Sequence, residues 1–432
     1  MKQVYLDNHS GTKLDDRVYE AMYPYVKDFY GNAQSLHSLG NKSKEALDKA
    51  RGQVADLIRA DISEIYFTSC GSESNNLAIK GVAEAYAPRP CVQERGKSKG
   101  SPSSCVQGRG KHIIVSSIEH FSVLYSARRL EQAGFQVTQL PVDKYGLVSV
   151  HDLKNAIRND TILISIQHAN PEIGTIQPIQ ELAKIAHDKA IIFHTDAVCT
   201  AGIIPLDAKK LGVELLTLAG SQFYGPKGAS ALYIKKGIRI IPQVDGGIQE
   251  AGRRAGTENI PAIVGLGRAS EIAKAEMETN NKKIVELRDR LMSELPKKID
   301  YIYLNGHSEK RLPNNVNFSV EFIEGEGMLL FLDEKGIYVT SGSACTSKAL
   351  KMSHIMSAIQ VDAAIAQGSI TMTLSKYNTD DDIDYVLQEF PPIVKRLREL
   401  SPLYAYFKKT GKRQEAGPGT DYEHHHEHEE TE

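Results

Sequence analysis

The strongest constraint on the fold is the alternation of short β-rich runs with amphipathic helical patterns between about residues 16 and 258. Residues 44–58, for example, put apolar side chains on one helical face. The runs that indicate buried strands are 65–69, 112–116, 135–140, 162–167 and 191–195. Strand and helix in alternation predict an α/β fold, with a mostly parallel sheet covered on both faces.

The pattern changes from about residue 265. A long charged helix runs through Leu295, where we expect Pro296 to stop it. A strand at 315–320, a helix at 326–334 and a strand at 337–340 follow, which suits a smaller α+β domain. We therefore predict an N-terminal segment (1–15) packed on the small domain, a large domain (16–258) and a small C-terminal domain (259–410).

Two segments have biased composition. Residues 87–111 contain the near-duplicates CVQERGK and CVQGRGK. Their two cysteines could bind a metal. A flexible surface insertion is the favoured interpretation, because the segment lacks the apolar residues that form a core. The tail, 411–432, ends in DYEHHHEHEETE. We expect it to be disordered, although its histidines would bind transition metals weakly.

Composition excludes several classes of protein. The formal net charge is −2, which gives no reason to expect nucleic acid as a partner. No apolar run approaches the roughly 18 residues that cross a bilayer, and the N-terminus lacks a signal-peptide pattern. Five scattered cysteines do not form a disulfide scaffold, so we expect a protein of the reducing cytoplasm.

Three motifs place polar groups just after strands. In TSCGSESNN (68–76), Ser72 opens a helix whose N-terminus could bind an anion, although a simple cap is the commoner role. In FHTDAVCTAG (193–202), Asp196 ends a buried strand and needs a cationic partner such as a protonated pyridine, or else is a structural cap. In SSIEHFSVL (116–124), His120 could stack on a flat cofactor or only satisfy local hydrogen bonds.

A fourth motif carries a candidate nucleophile. Cys345 lies in SGSACTS (341–347), among small flexible residues, after a predicted strand. Most lone cysteines are buried and inert, but this surrounding composition favours a reachable, working thiol.

These motifs occur in one order with others along the chain. The others are YLDNHSGT (5–12), YGNAQSLHSLG (30–40), HANPEIGTIQPI (168–179), YGPKGASALYI (224–234), GRRAGTENIP (252–261) and RLPNNVNFS (311–319). The series resembles the cysteine desulfurases of the NifS and IscS type, class V aminotransferases of the fold type I group of pyridoxal-phosphate enzymes. The resemblance spans about residues 4–405, apart from the insertion. It implies a large domain built on a mostly parallel seven-stranded sheet.

The resemblance also implies a chemistry and roles for particular residues. Pyridoxal 5′-phosphate forms a Schiff base with a lysine, and the loop cysteine, here Cys345, takes sulfur from L-cysteine as a persulfide and releases alanine. His120 would stack on the cofactor ring and Asp196 would bind its nitrogen. Ser72 and, from the neighbouring subunit, Thr257 would contact the phosphate, which implies a homodimer. The persulfide would serve iron–sulfur cluster assembly with an IscU-like scaffold protein.

The same pocket departs from the family pattern. Gln222 occupies the lysine position, so no Schiff base can form there. The other departures are Ala219 and Ser221 on the phosphate side, Pro171 at the second asparagine of H-x-N-N-E, Cys199 for a glutamine and Thr371 for the arginine that binds the substrate carboxylate.

Three interpretations remain open. The favoured one is a desulfurase-family protein that handles sulfur on Cys345 for iron–sulfur assembly, from L-cysteine or another donor, with its desulfurase activity in doubt. Cys345 could also be an iron–sulfur cluster ligand in that case. The alternatives are an active pyridoxal-phosphate cysteine desulfurase and a purely structural or regulatory dimer.

Overall fold

The computed structural model describes residues 2–88, 110–342 and 352–413. The predictions for the 87–111 insertion, the C-terminal tail and Cys345 fall wholly or mainly outside these residues. Within them, no helix is both long enough and apolar enough to cross a bilayer.

A seven-stranded sheet forms the centre of the N-terminal two thirds of the chain. Its strands are β2 (Ile65–Thr68), β3 (His112–Ser116), β4 (Gln136–Leu140), β5 (Thr161–Ser165), β6 (Ile192–Asp196), β7 (Leu215–Ala219) and β8 (Ser230–Ile234). Their order across the sheet is β2-β8-β7-β6-β5-β3-β4. Only β8 runs against the others, which confirms the predicted mostly parallel sheet.

Helices cover both faces of this sheet. They are α1 (Asp16–Lys27), α2 (Ser38–Leu57), α3 (Gly71–Tyr86), α4 (Phe121–Gln132), α5 (Val150–Ala156), α6 (Ile179–Asp188) and α7 (Ala208–Leu211). Successive strand residues point to opposite faces. Ile114 therefore packs in one apolar cluster, while Ile113 and Val115 pack in the other.

The C-terminal part has its own core and sheets. Its helices are α8 (Ile260–Lys298), α9 (Gly325–Asp333), α10 (His354–Ala358), α11 (Ala363–Ala366), α12 (Asp380–Leu400) and α13 (Pro402–Thr410). Its strands are β9 (Ile302–Leu304), β10 (Asn315–Val320) and β12 (Ser369–Thr373), which form one sheet, and β11 (Ile337–Tyr338), which pairs with β1 (Val4–Tyr5). The N-terminal segment contributes Val4 and Leu6 to this core.

The predicted end of α8 was wrong. The helix begins at Ile260 and continues through Pro296 to Lys298. Proline removes only one backbone donor, and here it lies within three residues of the end of the helix, where Ile299 N still donates to Leu295 O. The loss is small enough for the packed helix to continue past it.

Candidate active site

Several parallel strands end at one edge of the large sheet, where their loops enclose a cavity of about 190 Å³. β2 leads into the start of α3, β3 into the loop before α4, β6 ends at Asp196, and β7 leads into Gln222. Crevices at the carboxyl ends of strands are the usual ligand sites of open α/β sheets. The topology therefore assembles the cavity from positions far apart in the chain.

The N-terminus of α3 forms one wall of the cavity. Cys70 is the capping residue but makes no side-chain hydrogen bond to the helix, so the amides of the first turn are open to an anion. Ser72 lies in this turn and lines the cavity. Gly71 is required for close approach, because a Cβ there would lie 2.8 Å from Val198 Cγ2. This wall suits a phosphate group.

Asp196, at the end of β6, provides a buried carboxyl group in the cavity lining. It accepts hydrogen bonds from Val198 N (2.9 Å) and Asn75 Nδ2 (2.7 Å). Burial raises its pKa, and these hydrogen bonds and nearby His120 offset part of that rise. In the described ranges it pairs with no lysine or arginine. A protonated pyridine nitrogen would supply the missing cation.

His120 caps α4, and its hydrogen bonds fix the position of its proton. Its Nδ1 lies 3.1 Å from the backbone N of Ser122 and 2.7 Å from Ser122 Oγ. A backbone N–H can only donate, so Nδ1 is an acceptor and the neutral ring carries its proton on Nε2. Asn75 Nδ2 also donates to Ser122 Oγ at 2.9 Å, which joins His120 to Asp196 through one amide group.

Gln222 lies in the turn after β7 and lines the cavity, whose described lining contains no lysine. Neither Lys227 nor Lys376 lines the cavity. Lys227 is exposed, with its Cε beside Gly11. Lys376 pairs with Asp15. The described part of the cavity thus offers no amine for a Schiff base.

These groups fit pyridoxal phosphate as a noncovalent ligand but not as a Schiff base. Asp196 would hold the ring nitrogen, His120 would lie on the ring, and Ser72 with the α3 amides would hold the phosphate. When bound, the cofactor supplies an electron sink for an amino-acid substrate. The backbone N–H of Ser122 holds the proton of His120 on Nε2, and hydrogen bonds from Asn75 and Val198 orient the Asp196 carboxyl group.

Several cavity residues were not identified from the sequence, among them Cys70 and Asn75. Asn75 follows Ser72 by three positions, which places both on the same side of α3 and could have revealed it. Cys199, which the comparison with the family pattern did identify, also lines the cavity. Burial and the nearby Asp196 raise the pKa of the Cys199 thiol, so it stays protonated.

Two buried carboxyl groups belong to residues next in sequence to His120 and Pro171, which line the cavity. Glu119 accepts from Ser116 Oγ (2.7 Å) and Gln167 N (2.8 Å), and burial raises its pKa to about 8. Glu172 accepts from Ser353 Oγ at 2.8 Å, and burial raises its pKa to about 7. The Glu172 carboxyl also leaves no room for a side chain at Gly342.

Four of the six predicted site residues line the cavity, and the other two do not lie in its described lining. Ser72, His120, Asp196 and Gln222 all line the cavity. Thr257 is exposed and does not line the cavity of its own chain. Cys345 lies outside the described residues, between Gly342 and Ser353.

Thr371 occupies the position where the family pattern has a substrate-binding arginine. Thr371 is buried in β12, and its Oγ1 accepts a hydrogen bond from Asn317 Nδ2 at 2.7 Å. The hydroxyl is therefore occupied within the C-terminal sheet. It provides no positive charge for a substrate carboxylate.

Comparison with known proteins identifies the family. Residues 4–92 and 101–386 match the class-V aminotransferase family. Cysteine desulfurase IscS of Methanosarcina thermophila is 51% identical over 93% of this chain and 94% of its own length. Cysteine desulfurase IscS of Dictyoglomus turgidum is 48% identical over 93% of this chain and 97% of its own length. A solved NifS-like protein is 37% identical, covers 92% of this chain and 100% of its own, and superposes with a TM-score of 0.82. The chain therefore belongs to the class-V aminotransferases of fold type I, among the NifS/IscS-like cysteine desulfurases.

Proposed function

We propose that this protein handles sulfur on Cys345 for iron–sulfur cluster assembly and has little or no desulfurase activity of its own. The observation that carries the proposal is the position of Gln222 in the cavity wall, with no lysine in the described lining. An amide cannot form a Schiff base or move a substrate proton. Losing a catalytic acid–base group costs about 10²–10⁴ in rate.

The substrate side of the site supports the same proposal. Thr371 Oγ1 is already hydrogen-bonded to Asn317, and the cavity lining contains no arginine among the described residues. An amino-acid carboxylate bound there would lack a cationic partner. A charged hydrogen bond of this kind is worth about 1.5–3 kcal/mol.

The alternative is an active pyridoxal-phosphate cysteine desulfurase that converts L-cysteine to L-alanine and an enzyme persulfide. Two observations favour it. Asp196 and His120 stand at the cavity in suitable positions for the cofactor ring, and the relatives at about half identity are named cysteine desulfurases. In this case another group must replace the missing lysine.

The proposed assembly is a cytoplasmic homodimer that docks an IscU-like scaffold protein. Leu36 and Ile248 are 95% and 80% exposed and line one large surface cavity, which suits coverage by a second copy. Thr257 is exposed, as expected for a residue that serves the neighbouring subunit's phosphate site. In the scaffold complex, Cys345 would carry sulfur or ligate a shared cluster.

Sulfide release from L-cysteine tests the proposal. The wild type, Gln222→Lys, Cys345→Ala and Cys70→Ala are compared with added pyridoxal phosphate and reductant. We expect no turnover by the wild type. We also expect Cys345 to take the outer sulfur of a donor persulfide, which leaves as a thiolate, or to ligate a cluster with a scaffold protein. The Cys70→Ala control removes a cavity thiol and should keep this capacity.

Wild-type turnover that Cys345→Ala abolishes would contradict the proposal and establish the alternative. Failure of Cys345 to accept sulfur or hold a cluster, with no turnover, would leave neither role supported. Gln222→Lys shows whether one amine restores activity. It separates loss of the lysine from the other changes in the pocket.

A further inference from the structure

The cavity has an unusual charge balance for its proposed ligand. Asp196 supplies a carboxyl group, and no lysine or arginine lines the cavity within the described ranges. A Schiff-base lysine would normally add a positive charge near the ring. The ring nitrogen of either cofactor form would pair with Asp196, but the charge of the lysine has no replacement in the described lining, so a ligand that carries a second cation would restore it.

Two amides of the lining have unused hydrogen-bonding capacity. Asn75 is 1% exposed, and its Oδ1 has no hydrogen-bond partner although its Nδ2 donates twice. Gln222 lines the same cavity, and its side-chain amide makes no hydrogen bond to any residue that the structure describes. A buried acceptor without a donor costs about 1–3 kcal/mol. Asn75 Oδ1 is itself enclosed, so the amide oxygen of the half-buried Gln222 is the acceptor that a ligand N–H can reach from this cavity.

We propose that the cavity binds its cofactor noncovalently and prefers the amine form, pyridoxamine 5′-phosphate, to the aldehyde form. The inference rests on the proposed function only in taking this cavity to be the cofactor site. Ring and phosphate are common to both forms, so Asp196 and the α3 amides contribute equally to each. The ammonium group of the amine form supplies the positive charge that the missing lysine would bring and a charge-assisted donor for the Gln222 amide oxygen. The aldehyde oxygen can only accept a weaker, neutral hydrogen bond from the Gln222 amide N–H, and no lysine of the described lining captures it.

Equilibrium dialysis of the purified, cofactor-free protein against pyridoxamine 5′-phosphate and against pyridoxal 5′-phosphate measures the two affinities. We expect the wild type to bind pyridoxamine 5′-phosphate about tenfold or more tightly than pyridoxal 5′-phosphate, the ratio for one charge-assisted hydrogen bond. Gln222→Lys should reverse the preference. Its amine would condense with the aldehyde, losing water, and borohydride would reduce the resulting C=N bond to a stable secondary amine.

Gln180→Lys is the matched control. It adds the same amine on the exposed surface of α6 and should keep the wild-type preference. Peptide mapping after borohydride treatment then separates labelling at position 222 from labelling of surface lysines. Equal affinity for both forms, preference for the aldehyde, or no binding of either form by the wild type would each overturn the inference.

The outcome is independent of the proposed function. If neither form binds while Cys345 still accepts sulfur, the cofactor inference fails and the sulfur-handling role stands. If the wild type binds the aldehyde tightly, becomes labelled at another lysine by borohydride and releases sulfide, both fail. If the amine form is preferred and Cys345 accepts no sulfur, only the proposed function fails.

Discussion

Replacing Glu172 by glutamine should remove a pH-dependent loss of stability. The Glu172 side chain is buried, with Ser353 Oγ at 2.8 Å as its donor and its second oxygen unpaired among the described residues. Burial raises its pKa from 4.5 to about 7, and the hydrogen bond offsets part of the rise. Between these values the folded protein keeps a proton that the unfolded chain releases. The free energy of unfolding therefore falls as the pH rises through this window.

The full penalty is about 3 kcal/mol above pH 7, from 1.36 kcal/mol per unit of pKa. Urea unfolding of the wild type and Glu172→Gln at pH 5 and pH 8, followed by circular dichroism, measures it. We expect the wild-type free energy of unfolding to fall by about 2–3 kcal/mol more than that of the variant across this range. A buried glutamine N–H without an acceptor costs a similar amount at both pH values and cancels.

Ser353→Ala should enlarge the pH-dependent loss of stability that Glu172→Gln removes. It removes the hydrogen bond that lowers the Glu172 pKa, so the loss of stability with rising pH should increase. Equal losses in the wild type and Glu172→Gln would refute the reasoning, because Glu172 would then ionise without cost in the folded protein.

The remaining predictions concern the cavity itself. Asp196→Asn should weaken both cofactor forms by roughly 10- to 100-fold in equilibrium dialysis without changing their ratio, because it removes the charge opposite the ring nitrogen. Gly71→Ala should lower the free energy of unfolding by about 1–3 kcal/mol through crowding at the start of α3. Gly52→Ala, within α2, should raise it by up to about 1 kcal/mol, because a Cβ there would make only an ordinary contact with Ile62 Cδ1 at 3.7 Å. Ser122→Ala keeps the backbone N–H that donates to His120 Nδ1, so it should leave the Nε2–H tautomer of His120 unchanged in ¹⁵N NMR spectra; a shift to the Nδ1–H tautomer would contradict this.

The sequence predicted the sheet and the residues at its edge because both depend on local pattern. Alternation of buried strands and helices was enough to place Ser72, His120 and Asp196 after strand ends, where parallel strands bring their loops together. The end of α8 was missed because packing of the helix overrides the penalty of Pro296 in its last turn.

The connections between site residues could not be predicted in this way. Asn75 contacts Ser122 and Asp196, which are 47 and 121 positions away in the chain. Likewise, nothing near Glu172 in sequence indicates that its carboxyl group is buried against Gly342 and Ser353. Such contacts depend on the packing of separate elements. Only the three-dimensional structure reveals them.

These hydrogen bonds affect how strongly Asp196 and His120, which match the family pattern, support desulfurase activity. Asp196, Asn75, Ser122 and His120 form one hydrogen-bonded group, and truncating a member would leave another buried polar atom unpaired, at about 1–3 kcal/mol. Gln222 makes no such bond to the described residues, so substitution at that position carries no comparable cost. A pocket that lost its covalent chemistry would therefore still retain Asp196 and His120 for stability. Their presence is weaker support for desulfurase activity than the change at Gln222 is against it.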